Sequence, residues 1–290
     1  MPTVDIATGR IHYVERGDGP AVVLLHGLLM NHTQWDQVID LLPSGFRYVL
    51  PDLPLGAHPI PMHPDADLSL RGLNQIIADF LTALDLREVT LVHSDWGGGL
   101  FLTAYGLDER VGRIIALPCE AFGNFPPGLP GKMVAVAVAL PGGIPLALRQ
   151  LRIRWLRNSP LMMGWMARRP LADEVMHGWT EPALRDKAIR RDLLKYAKSG
   201  FPKSELIANT EALQRFSGDA LILWSSAGKV MPREHGRRLA ELLPKGKLVE
   251  IDDAYVLSML DRPDAVAAAM SSFLTGADSS PDPRHRVVES

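Results

Sequence analysis

The run Leu91-Val92-His93-Ser94-Asp95-Trp96-Gly97-Gly98-Gly99 constrains the fold more than any other stretch of this chain. It ends an apolar run over residues 88–93 and precedes a helical pattern over residues 100–107. A buried strand that turns at once into a helix lifts one side chain above the sheet edge. Strand and helix backbones then approach so closely that small residues are needed beside the turn. Two registers are open. With Ser94 at the apex, Trp96 would fall where a small residue is required. With Asp95 at the apex, Gly97 and Gly98 take the small positions and only His93 is out of place. The Asp95 register fits better and presents a carboxylate to whatever lies above the sheet. The plain alternative is a glycine-rich turn with an incidental aspartate.

The rest of the chain supplies a sheet for that turn. Residues 11–15 alternate. Residues 21–25, 46–50, 88–93, 113–117, 220–224 and 248–251 are continuous apolar runs, the pattern of strands buried on both faces. Residues 33–42, 70–84, 232–243 and 263–274 place apolar side chains three and four apart, the period of an amphipathic helix. Strands alternating with helices imply a mostly parallel, doubly wound α/β sheet. The polar residues 276–290 read as a disordered tail.

Residues 125–201 break this rhythm. They carry no convincing strand, many helix formers, and Trp155, Met162, Met163, Trp165, Met166 and Trp179. This reads as a helical cap inserted into the sheet domain. Residues 149–198 hold twelve Lys or Arg against five Asp or Glu. One reading is a solvated helix surface. The sharper one is an apolar lid with a basic rim that draws an anionic amphiphile or a membrane surface.

Composition narrows the partners. A formal charge of −2 does not point to nucleic acid, and the single Cys119 excludes an internal disulfide framework. The opening MPTVDIATGRIHYVERG lacks the basic and apolar regions of a signal peptide. The longest apolar run, residues 133–148, is interrupted by Pro141-Gly142-Gly143 and is short for a membrane span. The expectation is a cytoplasmic protein with no stable membrane insertion, peripheral contact through the basic cap staying open. Its partner is a small apolar molecule, and no cofactor or metal is called for.

The apex Asp followed by Trp, the segment Leu24-Leu25-His26-Gly27 and the strand order resemble the α/β-hydrolase superfamily over residues 11–274. Within it, Asp95-Trp96 is similar to the haloalkane dehalogenase and epoxide hydrolase branch. The resemblance implies an α/β-hydrolase core over residues 1–124 and 202–275 with the cap at 125–201. It implies that the Asp95 carboxylate attacks carbon to form an alkyl ester, which water activated by a histidine then cleaves. It places the oxyanion amides at Leu28 and Trp96. The catalytic acid has two positions in the branch. The loop 225–232 holds no carboxylate, whereas Glu120, after the strand at 113–117, matches the other position. A solvated loop residue is the plain reading of Glu120.

The histidine is what does not match. The loop Ile251-Asp252-Asp253-Ala254-Tyr255-Val256-Leu257-Ser258-Met259-Leu260-Asp261-Arg262-Pro263 has the branch's frame and contains no histidine. By spacing, Val256 or Tyr255 stands in its place. His12, His32, His63, His235 and His285 read as surface residues, and His26 as a structural residue of its loop. His26, His93, His58 and His177 are the candidates to lie near Asp95. Leu28 also replaces an Asn that often grips a departing halide, leaving Trp96 and a cap Trp for that task. A cap with Tyr196 alone argues against epoxide opening by a tyrosine pair. Three functions stay open: an Asp-nucleophile hydrolase impaired in its base-dependent step; a lyase, isomerase or cyclase using Asp95 as acid or base; and an inactive ligand-binding protein.

Overall fold

The computed structural model describes residues 2–277. The chain opens with a hairpin, β1 (Thr3–Ile6) and β2 (Gly9–Arg16), paired antiparallel. Then β3 (Ala21–Leu24), α1 (Asp36–Ile39), β4 (Arg47–Pro51), α2 (Leu70–Ala83), β5 (Val89–Asp95), α3 (Leu102–Tyr105) and β6 (Val111–Cys119) alternate. After the intervening helices come β7 (Asp219–Ser225), α10 (Arg233–Leu242), β8 (Gly246–Ile251), α11 (Ser258–Asp261) and α12 (Pro263–Thr275). The eight strands form one sheet in the order β1-β2-β4-β3-β5-β6-β7-β8. From β4 to β8 neighbouring strands are parallel, and β2 joins β4 antiparallel. This is the doubly wound sheet that the apolar runs imply, with β5 at its middle and every β5 residue buried.

Between β6 and β7 lie α4 (Gly128–Ala139), α5 (Gly143–Leu151), α6 (Arg154–Arg157), α7 (Asp173–Arg185), α8 (Lys187–Lys198) and α9 (Lys203–Glu211), with no strand among them. Of these, α4, α5, α7 and α8 pack on one another above the sheet, while α9 packs against α3. A buried carboxylate ties this layer to the sheet. Asp261 accepts backbone N–H groups from Arg168, Arg169 and Tyr255 at 2.9 to 3.0 Å. Leu257 N–H adds a bond to the Met166 carbonyl at 2.8 Å.

Several local expectations change. The hairpin strand β1 was not visible as a periodic run. It is half-exposed and gains its place by pairing with β2, a tertiary effect that a four-residue pattern does not display. The helix expected at 100–107 is only a 3₁₀ turn, Gly99–Phe101, followed by α3. Gly98 before it (φ 71°) and Gly106 after it (φ 69°) sit in the left-handed region that favours glycine. His12 and His235, read as surface residues, are buried. His12 bonds Asp52 at 2.7 Å across the sheet edge, and the His235 ring packs edge-on against Phe122. His63 is exposed and His32 half-buried, while His285 and the tail from residue 278 lie outside the described residues. Among the described residues no helix is long and apolar enough to cross a membrane.

Candidate active site

Strand β5 ends at Asp95, whose φ of 50° is the strained left-handed conformation of a tight strand-to-helix turn. The glycines earn this geometry. A Cβ on Gly97 would stand 2.7 Å from the His26 carbonyl, and one on Gly27 would stand 2.3 Å from Asp95 Oδ2. No real side chain tolerates such distances, so the loop of Gly27 is pressed directly against the carboxyl group. That loop is held from behind. Gln34 donates to Ser94 Oγ at 2.8 Å and accepts from Gly27 N–H at 3.3 Å. His26 accepts the Leu53 N–H at 2.7 Å, and burial pushes its pKa down to about 4, which keeps the ring neutral. His26 is thus a loop-orienting residue, as the sequence suggested. Gln34 was missed, because one buried amide on a short helix has no sequence signature.

The Asp95 carboxyl is almost fully buried, and the backbone N–H groups of Trp96 and Leu28 bear on it. Both amides expected at an oxyanion site therefore converge on Asp95. Its pKa is pushed up to about 7, first by burial, with the Glu120 charge adding to it and the two N–H groups opposing it.

Glu120 follows β6, next to Asp95 in the parallel pair where Asp95 lies opposite Cys119. It is fully buried rather than a solvated loop residue. One carboxyl oxygen accepts the Gly98 N–H at 3.0 Å; the other makes no hydrogen bond and lies 3.8 Å from His93 Nε2. His93 is buried behind the turn, with its ring against Gly97 and Gly99 and no hydrogen bond to either nitrogen. Gly97 and Gly99, the first and third glycines of the run, thus accommodate the oversized His93.

Above Asp95 lies a cavity of about 320 Å³. Leu28, Trp96, Met133, Ile144, Leu148 and Met166 are among its lining residues, and Asp95 is the one ionisable side chain in the lining. Of the histidines considered near Asp95, none lines it. His58 is bonded to Asp192, and His177 bonds its own helix from an exposed position. In the loop after β8 Val256 is fully buried and is not among the cavity-lining residues. Tyr255 does not line the cavity, and its ring lies under the Lys229 ammonium. Trp155, Trp165 and Trp179 bring no unpartnered donor to the cavity lining. Trp155 is exposed, Trp165 lies under Lys229, and Trp179 lines the cavity but donates its indole N–H to Thr33 Oγ1 at 3.0 Å. Trp96 keeps an unpartnered indole N–H, packed among Phe125, Tyr196 and Phe201. Tyr196 is buried there with its hydroxyl unpartnered, 3.3 Å from where a Gly98 Cβ would be, and it is not among the cavity-lining residues.

A strained acidic turn at the carboxyl end of the central strand, under a helical layer, is the arrangement of one large class of enzymes. The profile of the alpha/beta hydrolase family matches residues 22–269, and the chain belongs to that family. Among its relatives, an uncharacterized protein of Mycobacterium bovis is 38% identical over 100 residues, 34% of this chain and 29% of that protein's length. The match thus spans under a third of that relative. Matches that run nearly end to end are weaker in identity. A cis-3-alkyl-4-alkyloxetan-2-one decarboxylase of Shewanella oneidensis is 23% identical, covering 93% of this chain and 86% of that protein. A haloalkane dehalogenase of Mycobacterium bovis is 25% identical, covering 92% of each. The structure of an ancestral haloalkane dehalogenase superposes with a TM-score of 0.75 at 20% identity, over 95% of this chain and 99% of that one. The fold is that of the α/β hydrolases, and relatives of the chain include haloalkane dehalogenases and, over 37% of the chain, a soluble epoxide hydrolase of Corynebacterium.

Proposed function

We propose that the protein is an enzyme that attacks a saturated carbon of an apolar small molecule with the Asp95 carboxylate, under a cap formed by residues 125–201. Asp95 is the nucleophile, the Trp96 and Leu28 amides orient its second oxygen, Trp96 N–H is free for a departing anion, and Glu120 fixes the turn through Gly98. The observation that carries this reading is that Asp95 is the one ionisable side chain lining an apolar cavity of about 320 Å³. Burial makes it more basic, and hence a better nucleophile, than an exposed aspartate.

The same observation favours release without water. Hydrolysis of the alkyl ester needs a base within hydrogen-bond reach of a water, and Val256 offers none. A strained four-membered lactone needs no base. Asp95 attacks the ring carbon that carries the ring oxygen. That C–O bond breaks, and its electron pair leaves as the substrate's own carboxylate. The bond from the neighbouring carbon to that carboxylate then breaks and releases carbon dioxide. Its electron pair becomes the carbon–carbon double bond, and the bond to Asp95 breaks with its pair returning to the carboxylate. No proton or water enters. The relative that acts on a cis-3-alkyl-4-alkyloxetan-2-one supports this choice of electrophile, and the oily cavity suits two alkyl arms.

The test is turnover of a long-chain cis-dialkyl β-lactone in water enriched in oxygen-18. The expected products are an alkene and carbon dioxide with no hydroxy acid, all lost in Asp95→Asn. Label in an organic hydroxy-acid product would establish hydrolysis instead. Turnover that persists in Asp95→Asn would refute the nucleophile.

A further inference from the structure

Among the described residues, eight large hydrophobic side chains are strongly exposed, and seven of them fall between residues 133 and 161. They are Met133, Val136, Leu140, Leu146, Ile153, Trp155 and Leu161, with Trp155 76% exposed and Leu140 57%. Helix α4 explains the concentration. Residues 133–140 read Met-Val-Ala-Val-Ala-Val-Ala-Leu, apolar all round. A helix of that kind belongs in a core or in an apolar medium, yet much of α4 faces solvent. Scattered exposed hydrophobics are ordinary, but a contiguous set marks an interaction surface.

Charge identifies the partner. From residue 121 to residue 172 there are seven Lys or Arg and no Asp or Glu, in a chain whose total charge is −2. Arg152, Arg157 and Arg168 are paired with Glu181, Asp173 and Asp253. Lys132, Arg149 and Arg154 are exposed and make no ion pair among the described residues. They stand on or beside α4, α5 and α6, which also carry the exposed apolar groups. Two copies of this chain packed face to face would bring the same uncompensated cations together. An anionic bilayer would instead accept the apolar side chains in its boundary layer and the cations at its headgroups.

We infer that the outer face of α4, α5 and α6 docks on anionic phospholipid membranes. The cavity shares this face: Met133, Val136, Leu140, Leu146 and Leu161 are both exposed and part of its lining. Docking therefore sets the mouth of the cavity against the acyl layer, and a lipid-soluble substrate passes to Asp95 without crossing water. The docking stands on the surface alone; the delivery of substrate rests on the proposed role of Asp95.

Flotation of the full chain with vesicles tests the docking without reference to activity. Vesicles of phosphatidylcholine with 30% phosphatidylglycerol (a composition of about that order) should carry the protein, pure phosphatidylcholine far less, and salt should weaken the binding. Val136→Asp/Leu140→Asp/Leu146→Asp should abolish flotation with the circular dichroism spectrum unchanged. Arg149→Glu/Arg154→Glu should weaken it at least about tenfold. The fluorescence quenching by brominated anionic lipid should fall in Trp155→Phe. The inference is overturned if the wild-type chain stays with the unbound fraction on anionic vesicles, or if the triple variant floats as well as the wild type. It is equally overturned if sedimentation velocity shows a dimer lost in the triple variant, which would assign the face to a second copy.

Discussion

Replacing Asp95 by Asn should stabilise the protein, and by an amount that depends on pH. Burial lifts the Asp95 pKa from 3.8 to about 7. Well below pH 3.8 both folded and unfolded chains hold the proton and the carboxyl costs nothing. As pH rises toward 7 the unfolded chain releases its proton while the folded chain keeps it, so stability falls. Above 7 both states are ionised and the cost stays constant. At 1.36 kcal/mol per pKa unit, the cost grows by about 3 kcal/mol between pH 4.5 and pH 8 as an upper figure, and about 2 kcal/mol with relaxation of the site. Asn carries no such cost and keeps an oxygen for the Trp96 and Leu28 amides. For a chain of 290 residues the melting-temperature gap between Asp95→Asn and wild type should widen by roughly 3–5 °C from pH 4.5 to pH 8. Scanning calorimetry at the two pH values checks it. A gap that does not change with pH, or a variant less stable at pH 8, would refute the claim that folding forces a carboxyl group into an apolar site.

Further outcomes follow from the same geometry. The rate should rise with pH through a single ionisation near 7, the Asp95 pKa, with no second limb from a histidine; a bell-shaped profile in steady-state kinetics would indicate a base that the cavity does not contain. Val256→His should place an imidazole in the loop after β8 and add hydrolysis, read as oxygen-18 entering the product from labelled water. Gly27→Ala drives a Cβ to 2.3 Å from Asp95 Oδ2 and should reduce activity at least about a hundredfold, while a variant as active as wild type would contradict the packing of that loop. Asp261→Ala removes the acceptor of three backbone N–H groups and should cost about 3–5 kcal/mol in urea denaturation.

The sheet was legible because its strands are buried on both faces, so residues 21–25, 113–117 and 220–224 are continuous apolar runs. The turn at Asp95 was legible because close backbone approach leaves glycine as the sole option at 97, while the Trp96 and Leu28 amides were placed by the family resemblance. What escaped depends on contacts distant in sequence. His12 is buried through Asp52, forty residues away, and nothing near it announces burial. Glu120 was picked out by resemblance as the candidate acid, with a solvated loop residue as the alternative, but its bond to the Gly98 N–H, a neighbour only through strand pairing, was not readable. The cavity walls on α4 and α5 were invisible as such, because an apolar helix reads the same whether it lines a pocket, fills a core or faces a membrane.

Intact-mass measurement with a long-chain bromoalkane tests the central claim most directly. A bromoalkane has no carboxylate to lose, so the alkyl ester should form and persist on a site without a base. The expected result is a mass increase of one alkyl group, mapped to Asp95 and absent in Asp95→Asn. An unmodified wild-type chain after prolonged exposure, or an adduct retained in Asp95→Asn, would contradict nucleophilic attack by Asp95.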